Sequence, residues 1–297
     1  MPSLAELRKK IRGISSTRQI TNAMKMVAGA RFARAGRQRS DALHYQAEVR
    51  RLIDEVLSLG GVPKGNYASL YAAPGAAAQP AAPRSKVGLM VVAADKGLCG
   101  DFNNAILRAA DQYLRENGGR VAVLFAAGRK AVEHYRNTAG VAHKAGYQQF
   151  FNRFDFGTAD AMGAEALKIY IKEGLCEWTV VHSHFKTRMK QQLTVTRLLP
   201  VTPAAPQDPL YRCAMIEPGD EEELLRALLP MHIKAAIYGI LRDSFAAELA
   251  ARMSAMDNAT RNAGSLIDSI TLEMNKVRQA VITRELAEII ATNEVVR

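Results

Sequence analysis

Asp95-Lys96-Gly97-Leu98-Cys99-Gly100-Asp101 is the stretch of this 297-residue chain best suited to chemistry. It follows an apolar run and precedes a helical pattern, the position where backbone N–H groups can cradle a phosphate. The spacing matches neither GxGxxG nor GxxxxGK[ST], however, and Asp101 puts an acid where the phosphate would lie. A structural turn is the better reading. Cys99 stands three residues from Lys96 and would be a nucleophile if its thiolate were stabilised, yet no His or Asp is spaced to serve as its base. His182 and His184 alternate along a predicted strand, which puts both imidazoles on one face. No third metal ligand stands near them, so packing or surface roles are simpler. The sequence nominates no catalytic, cofactor-binding or metal-binding set.

Charge is the other candidate for function. The chain carries 40 Lys+Arg against 29 Asp+Glu, a net +11. Ten of the basic residues lie in the first 40 positions, opposed only by Glu6, so this arm alone holds +9. Such a surface suits nucleic acid or an acidic protein face. With aromatics at only 6%, recognition by base stacking is a poor fit. Hydrophobic residues at 48% are ordinary for a globular core and argue against wholesale disorder. No uninterrupted apolar run reaches the roughly 18 residues of a membrane span. The first residues enter a charged helical pattern with no signal-peptide core. Three scattered cysteines (Cys99, Cys176, Cys213) suggest a reducing compartment.

Residues 1–59 are predicted as one helix: Ser3 and Glu6 have capping-box spacing, and Leu4, Leu7, Ile11, Ile14, Ile20, Met24 and Val27 form an apolar stripe. Gly60-Gly61 and Pro63 stop it, and 60–85, rich in Ala, Pro and Gly, is a linker. Residues 86–200 change character. Apolar runs at 87–93, 121–126, 178–185 and 193–199 alternate with helical stretches at 103–116, 129–137 and 159–173, as expected of an open α/β sheet with parallel crossovers. A Pro-rich connector, 201–219, leads to a helix and tip over 220–297, with Pro230 expected to break or kink it.

Within that last helix Leu249, Met253, Met256, Thr260, Ala263, Ile267, Ile270, Met274, Val277 and Val281 alternate steps of four and three, the seam of a coiled coil. So long a rod, predicted to run to about residue 292, needs a partner, and the only comparable helix is the first. The predicted fold is therefore α/β plus a long antiparallel coiled coil. N- and C-terminal helices pair, a Rossmann-like α/β domain is inserted between them, and the C-terminal helix protrudes.

Ile20-Thr21-Asn22-Ala23-Met24-Lys25-Met26-Val27-Ala28 resembles the N-terminal signature of gamma subunits of F-type ATP synthases. Lys96-Gly97-Leu98-Cys99-Gly100 resembles their RGLCGG turn. The segments Arg252-Met253 to Thr260 and Asn275 to Glu285 resemble their C-terminal signature. The likeness runs in order through nearly the whole chain. It implies a non-catalytic central rotor of a bacterial ATP synthase, turning inside a hexamer of alpha and beta subunits that does the catalysis. It further implies an α/β foot against epsilon and the c ring, and peripheral attachment at the cytoplasmic face of the cell membrane. By motif matching it places hexamer contacts at Met24, Lys25, Arg252, Arg278, Gln279 and Thr283. The chain departs from the pattern at Ala28-Gly29-Ala30-Arg31, at Asp101 in place of a second glycine, and in its charged tail Thr292 to Arg297. Two rival readings stand beside it: a nucleotide-binding α/β enzyme using 95–101, and a basic coiled-coil protein binding nucleic acid.

Overall fold

The computed structural model describes residues 3–58, 65–71, 85–136, 142–148, 150–151, 155–187, 191–202 and 221–295. The chain divides into two compact units, Met1–Ala30 with Arg252–Arg297, and Arg31–Ala251. The long helices α1 (Leu4–Ser58) and α5 (Glu221–Val295) each contribute to both units.

In the first unit the two helices lie antiparallel. The capping box forms as expected: Ser3 N–H donates to Glu6 Oε2 at 2.9 Å and Glu6 N–H to Ser3 Oγ at 3.2 Å. Lys25 meets Asp257 at 2.6 Å, Thr260 donates to Thr21 at 2.8 Å, and Met253 stands against Gly29. In each pair the two residue numbers sum to 281 or 282, so the register places Leu4 opposite about residue 278. The heptad residues of α5 fulfil the periodicity: Met256 and Ile270 are buried, the others from Met253 to Val277 half-buried, and Val281, beyond the reach of α1, is exposed.

The stripe on α1 needs correction. Ile20 and Val27 point outward, 58% and 54% exposed. Leu4, Leu7, Ile11, Ile14 and Met24 of that stripe are buried or half-buried, and Thr21, Lys25 and Ala28 carry the seam on in place of Ile20 and Val27. Polar side chains occupy the seam beyond Ile14, so apolarity alone lost the phase there. Such polar layers fix register at some cost in stability.

The second unit is built on a five-stranded sheet ordered β3-β2-β1-β4-β5, from β1 (Val87–Val92), β2 (Val121–Ala127), β3 (Ala142–Tyr147), β4 (Glu177–Phe185) and β5 (Gln191–Leu199). β1 is parallel to β2 and β4, and β2 is parallel to β3. The expectation of parallel crossovers fails at β5, which runs antiparallel to β4 and follows it by a short return instead of a helix. β3 has no apolar run and was not anticipated; as an edge strand it needs apolar residues on fewer sides. Helices α2 (Phe102–Glu116), α3 (Arg129–Tyr135) and α4 (Phe156–Glu173) connect the strands, and β1, flanked on both sides, is wholly buried.

Pro230 does not break α5, which runs unbroken through it. The carbonyl that a proline N–H cannot reach belongs to Arg226, an exposed residue, so water can take its place. One window within Glu221–Ala287 reaches mean hydropathy 1.4, enough by composition to cross a membrane, contrary to expectation. That window is 56% buried inside the protein, as a core helix would be. Gly65–Leu70, within the expected linker, forms a short 3-10 helix whose Leu70 is buried and whose Ser69 carbonyl accepts from the Tyr170 hydroxyl at 3.0 Å.

Candidate functional site

The loop after β1 sits at the point where strand order reverses, the usual ligand crevice of such sheets. Here its polar groups are turned on themselves. Asn103 accepts from Ala94 N–H at 2.9 Å and donates to the Lys96 carbonyl at 3.2 Å. Asp95, buried, accepts from the backbone N–H groups of Arg129 and Phe151, each at 2.9 Å, and ties the loop to α3 and to the chain after β3. Asp101 pairs with Arg108. Cys99 is buried, with its sulfur accepting from Asn103 at 3.2 Å, a packed position without the access a nucleophile needs. The loop is a bracket between strands.

The two histidines of β4 go to different partners. His182 is buried and its Nε2 bonds Thr196 Oγ1 at 2.9 Å across the strand pair. His184 Nδ1 meets Asp243 Oδ2 at 2.6 Å. Among the described residues no group of three His, Cys, Asp or Glu is placed to hold a metal.

Asp243 centres a knot that sequence reasoning missed. It is buried on α5, takes Arg39 Nε of α1 at 2.5 Å and His184 of β4, and accepts from Phe185 N–H at 3.4 Å. Arg39 also donates to the Phe185 carbonyl at 3.3 Å and lies over the Phe185 ring, 5.4 Å from its centroid. One carboxylate thus fastens both long helices to the sheet. Beside it Arg242 donates to Gln38 at 2.9 Å.

Burial pushes the His182 imidazole down to about 4, only partly offset by Asp243. Burial, then the charge of Arg50, does the same to His232. Both are neutral in the folded protein at neutral pH. The unfolded chain, titrating near the ordinary value of about 6.5, takes up protons that the fold refuses. Their stabilisation is complete above pH 6.5 and is lost as pH falls from there to 4, at about 1.4 kcal/mol per pH unit for each group. Unfolding free energies from urea titrations followed by Trp178 fluorescence are expected to fall between pH 6.5 and 5, by about 2 kcal/mol per histidine. His182→Gln and His232→Gln should each flatten that slope; an unchanged slope in both would refute the assignment.

The residues expected to touch a surrounding hexamer fall in two groups. Met24, Lys25 and Arg252 are half-buried in the paired part of the helices. Lys25 is held by Asp257, whose carboxyl lies below the usual range chiefly through that hydrogen bond. Arg278, Gln279 and Thr283 are exposed where α1 gives out, and Thr283 turns its hydroxyl back onto the Gln279 carbonyl at 2.9 Å. Sequence reading missed the exposed apolar residues between and beyond them: Ile20, Met26 and Val27 on α1, and Leu272, Ile282, Leu286 and Ile289 on α5. The last three step by four and three along one helix face, a pattern that looks for a partner.

A family model described as ATP synthase matches residues 3–296. The ATP synthase gamma chain of Geotalea daltonii is 35% identical over 302 residues, covering 100% of both chains. That of Pelotomaculum thermopropionicum is 35% identical over 98% of each. Among solved structures, a chain of the Euglena gracilis mitochondrial ATP synthase (OSCP/F1/c-ring, rotational state 3) superposes with a TM-score of 0.64 at 17% identity, covering 97% of this chain and 93% of that one. A chain of the rotor from the same organism gives 0.61 at 15% identity, covering 94% and 98%. At those identities the structures speak for the fold, and the full-length relatives speak for the family. The chain belongs to the ATP synthase gamma chain family.

Proposed function

We propose that this chain is the central shaft of an ATP synthase, a non-catalytic rotor that links ion flow through the c ring to ATP synthesis or hydrolysis at the beta subunits. Full-length similarity to gamma chains supports the role, and it leaves the enzyme and nucleic-acid readings without comparable support. The observation that carries the reading is the helical seam itself. Two antiparallel helices locked by Lys25–Asp257 and Thr21–Thr260 form a stiff element, and one outruns the other to present Ile282, Leu286 and Ile289. An apolar stripe without polar hooks suits a bearing, because dispersion contacts carry little angular preference.

In this reading 1–59 and 220–297 supply the shaft and 86–200 the foot, with 60–85 and 201–219 as connectors. The foot meets epsilon and the c ring. Met24, Lys25, Arg252, Arg278, Gln279 and Thr283 face the alpha/beta hexamer. The basic outer face of α1 would meet acidic loops there, where unlike charge attracts without fixing one geometry. The complex is peripheral to a membrane, at its cytoplasmic face in a bacterium.

Co-purification tests this directly. Tagged chain expressed with its alpha and beta subunits is expected to elute as one complex with three of each per chain and with ATPase activity. Elution without them, or with equal copies of all three, would sink the proposal.

A further inference from the structure

A cleft of about 400 Å³ lies between α1, the end of β5 and α5, and includes none of the six residues placed against the hexamer. One wall is apolar, from Leu43, Leu198 and Ile240. The polar end is made of Arg50, Arg197 and His232, and no acidic residue among the described residues lines it. Arg50 is held in place by Asp54 at 2.9 Å and by the Thr202 carbonyl, so its planar guanidinium is pre-oriented. His232 is only 6% exposed, yet its Nδ1 has no hydrogen-bond partner among the described residues. A buried imidazole nitrogen left without a partner calls for an explanation.

We propose that this cleft binds a small amphipathic anion, its carboxylate or phosphate head held by Arg50, Arg197 and His232 and its short apolar body laid along Leu43, Leu198 and Ile240. The division into an apolar wall with a few convergent polar groups is that of small-molecule sites, and the volume falls in their range. Arginine forks match the oxygens of either head group. An anion here would also offset the two forces that depress the His232 imidazole, burial and the charge of Arg50. The inference concerns the isolated chain and stands apart from its role in the rotor.

The probe is hexyl phosphate, titrated into the full-length chain and followed by the His232 ring resonances and by thermal unfolding. Expected are a saturable shift of those resonances, an upward move of the imidazole from about 4, and a raised unfolding midpoint. Hexanol and inorganic phosphate should act much more weakly. Arg197→Gln, at an exposed position, should weaken binding about tenfold, the loss of one charge-assisted contact, read against that variant's own ligand-free unfolding midpoint. Arg34→Gln, outside the cleft, should leave affinity unchanged. Vesicles of phosphatidylglycerol form a second arm: competition with hexyl phosphate assigns the head group to a lipid, and none assigns it to a soluble metabolite. Absence of saturable binding, or equal binding by Arg197→Gln, would overturn the proposal, the latter revealing only the general attraction of a basic chain for anions. Failure of this test leaves the assembly with alpha and beta subunits untouched.

Discussion

Gly128→Ala is expected to destabilise the sheet-bearing unit by about 3 kcal/mol or more, the largest effect of a methyl added at any described glycine. Gly128 joins β2 to α3 with φ +95° and ψ 142°, a conformation closed to side chains. A Cβ there would lie 1.8 Å from the Ala93 carbonyl oxygen and 2.7 Å from its carbon. Both are backbone atoms in the bracket beyond β1, where Ala93 N–H already donates to the Ala127 carbonyl at 2.9 Å. Neither strand can retreat, because Gly128 N–H is itself bonded to the Tyr147 carbonyl at 2.8 Å. Gly174→Ala is the control. Gly174 has φ +62° at the C-terminus of α4, but nothing stands within 4 Å of its missing Cβ, so only the left-handed conformation is penalised, at about 1 kcal/mol. Urea unfolding followed by Trp178, the only tryptophan and fully buried, reads both. Equal losses in the two variants would mean that backbone overlap at Gly128 is not the governing constraint.

Asp243→Ala is expected to cost about 3–5 kcal/mol, because it strands a guanidinium and an imidazole that share one carboxylate. Arg39 is 21% exposed at its side chain and Asp243 4%, so water can rescue the arginine only partly. The loss should exceed that of Asp243→Asn, which keeps an oxygen for Phe185 N–H and Arg39. It should also shrink in the double variant with Arg39→Met, where charge and counter-charge leave together. A double-mutant cycle measures this coupling. A single Asp243→Ala loss below about 1 kcal/mol, or strict additivity with Arg39→Met, would reduce the knot to a surface ion pair.

These two positions differ in how far sequence could foretell them. Gly128 follows an apolar run and precedes a helical pattern, so a turn was visible, but its partner Ala93 is brought there by the parallel pairing of β1 and β2. Asp243 sits in Leu241-Arg242-Asp243-Ser244, which looks like an ordinary charged helix face; its partners are 204 and 59 residues away. Local pattern does not register contacts across such separations. The α5 seam was legible because it keeps step for ten positions. The α1 seam was legible only as far as Ile14, since beyond it Thr21 and Lys25 face inward while Ile20 and Val27 face out. β3 escaped because an edge strand with His143 and Lys144 lacks the apolar run that betrayed β1, β2 and β4. Of the candidate site, the motif residues were found by resemblance, whereas the exposed stripe 282–286–289 follows only from knowing where α1 stops.

The register of the paired helices also sets an order of events during synthesis. Leu4 to Ala30 leave the ribosome more than 200 residues before their partners, from Arg252 onward. At translation rates of roughly 5–20 residues per second, that leading segment waits on the order of ten to forty seconds. The sheet unit contains all of its strands before the partner segment is made and can consolidate in that interval. Meanwhile the early helix carries its excess of Arg and Lys, whose mutual repulsion discourages it from pairing with a second copy of itself. Its polar inward positions, poor glue for a homodimer, await the acid and hydroxyl supplied by Asp257 and Thr260. The charge at the front of the chain thus guards a surface until the end of the chain arrives to cover it.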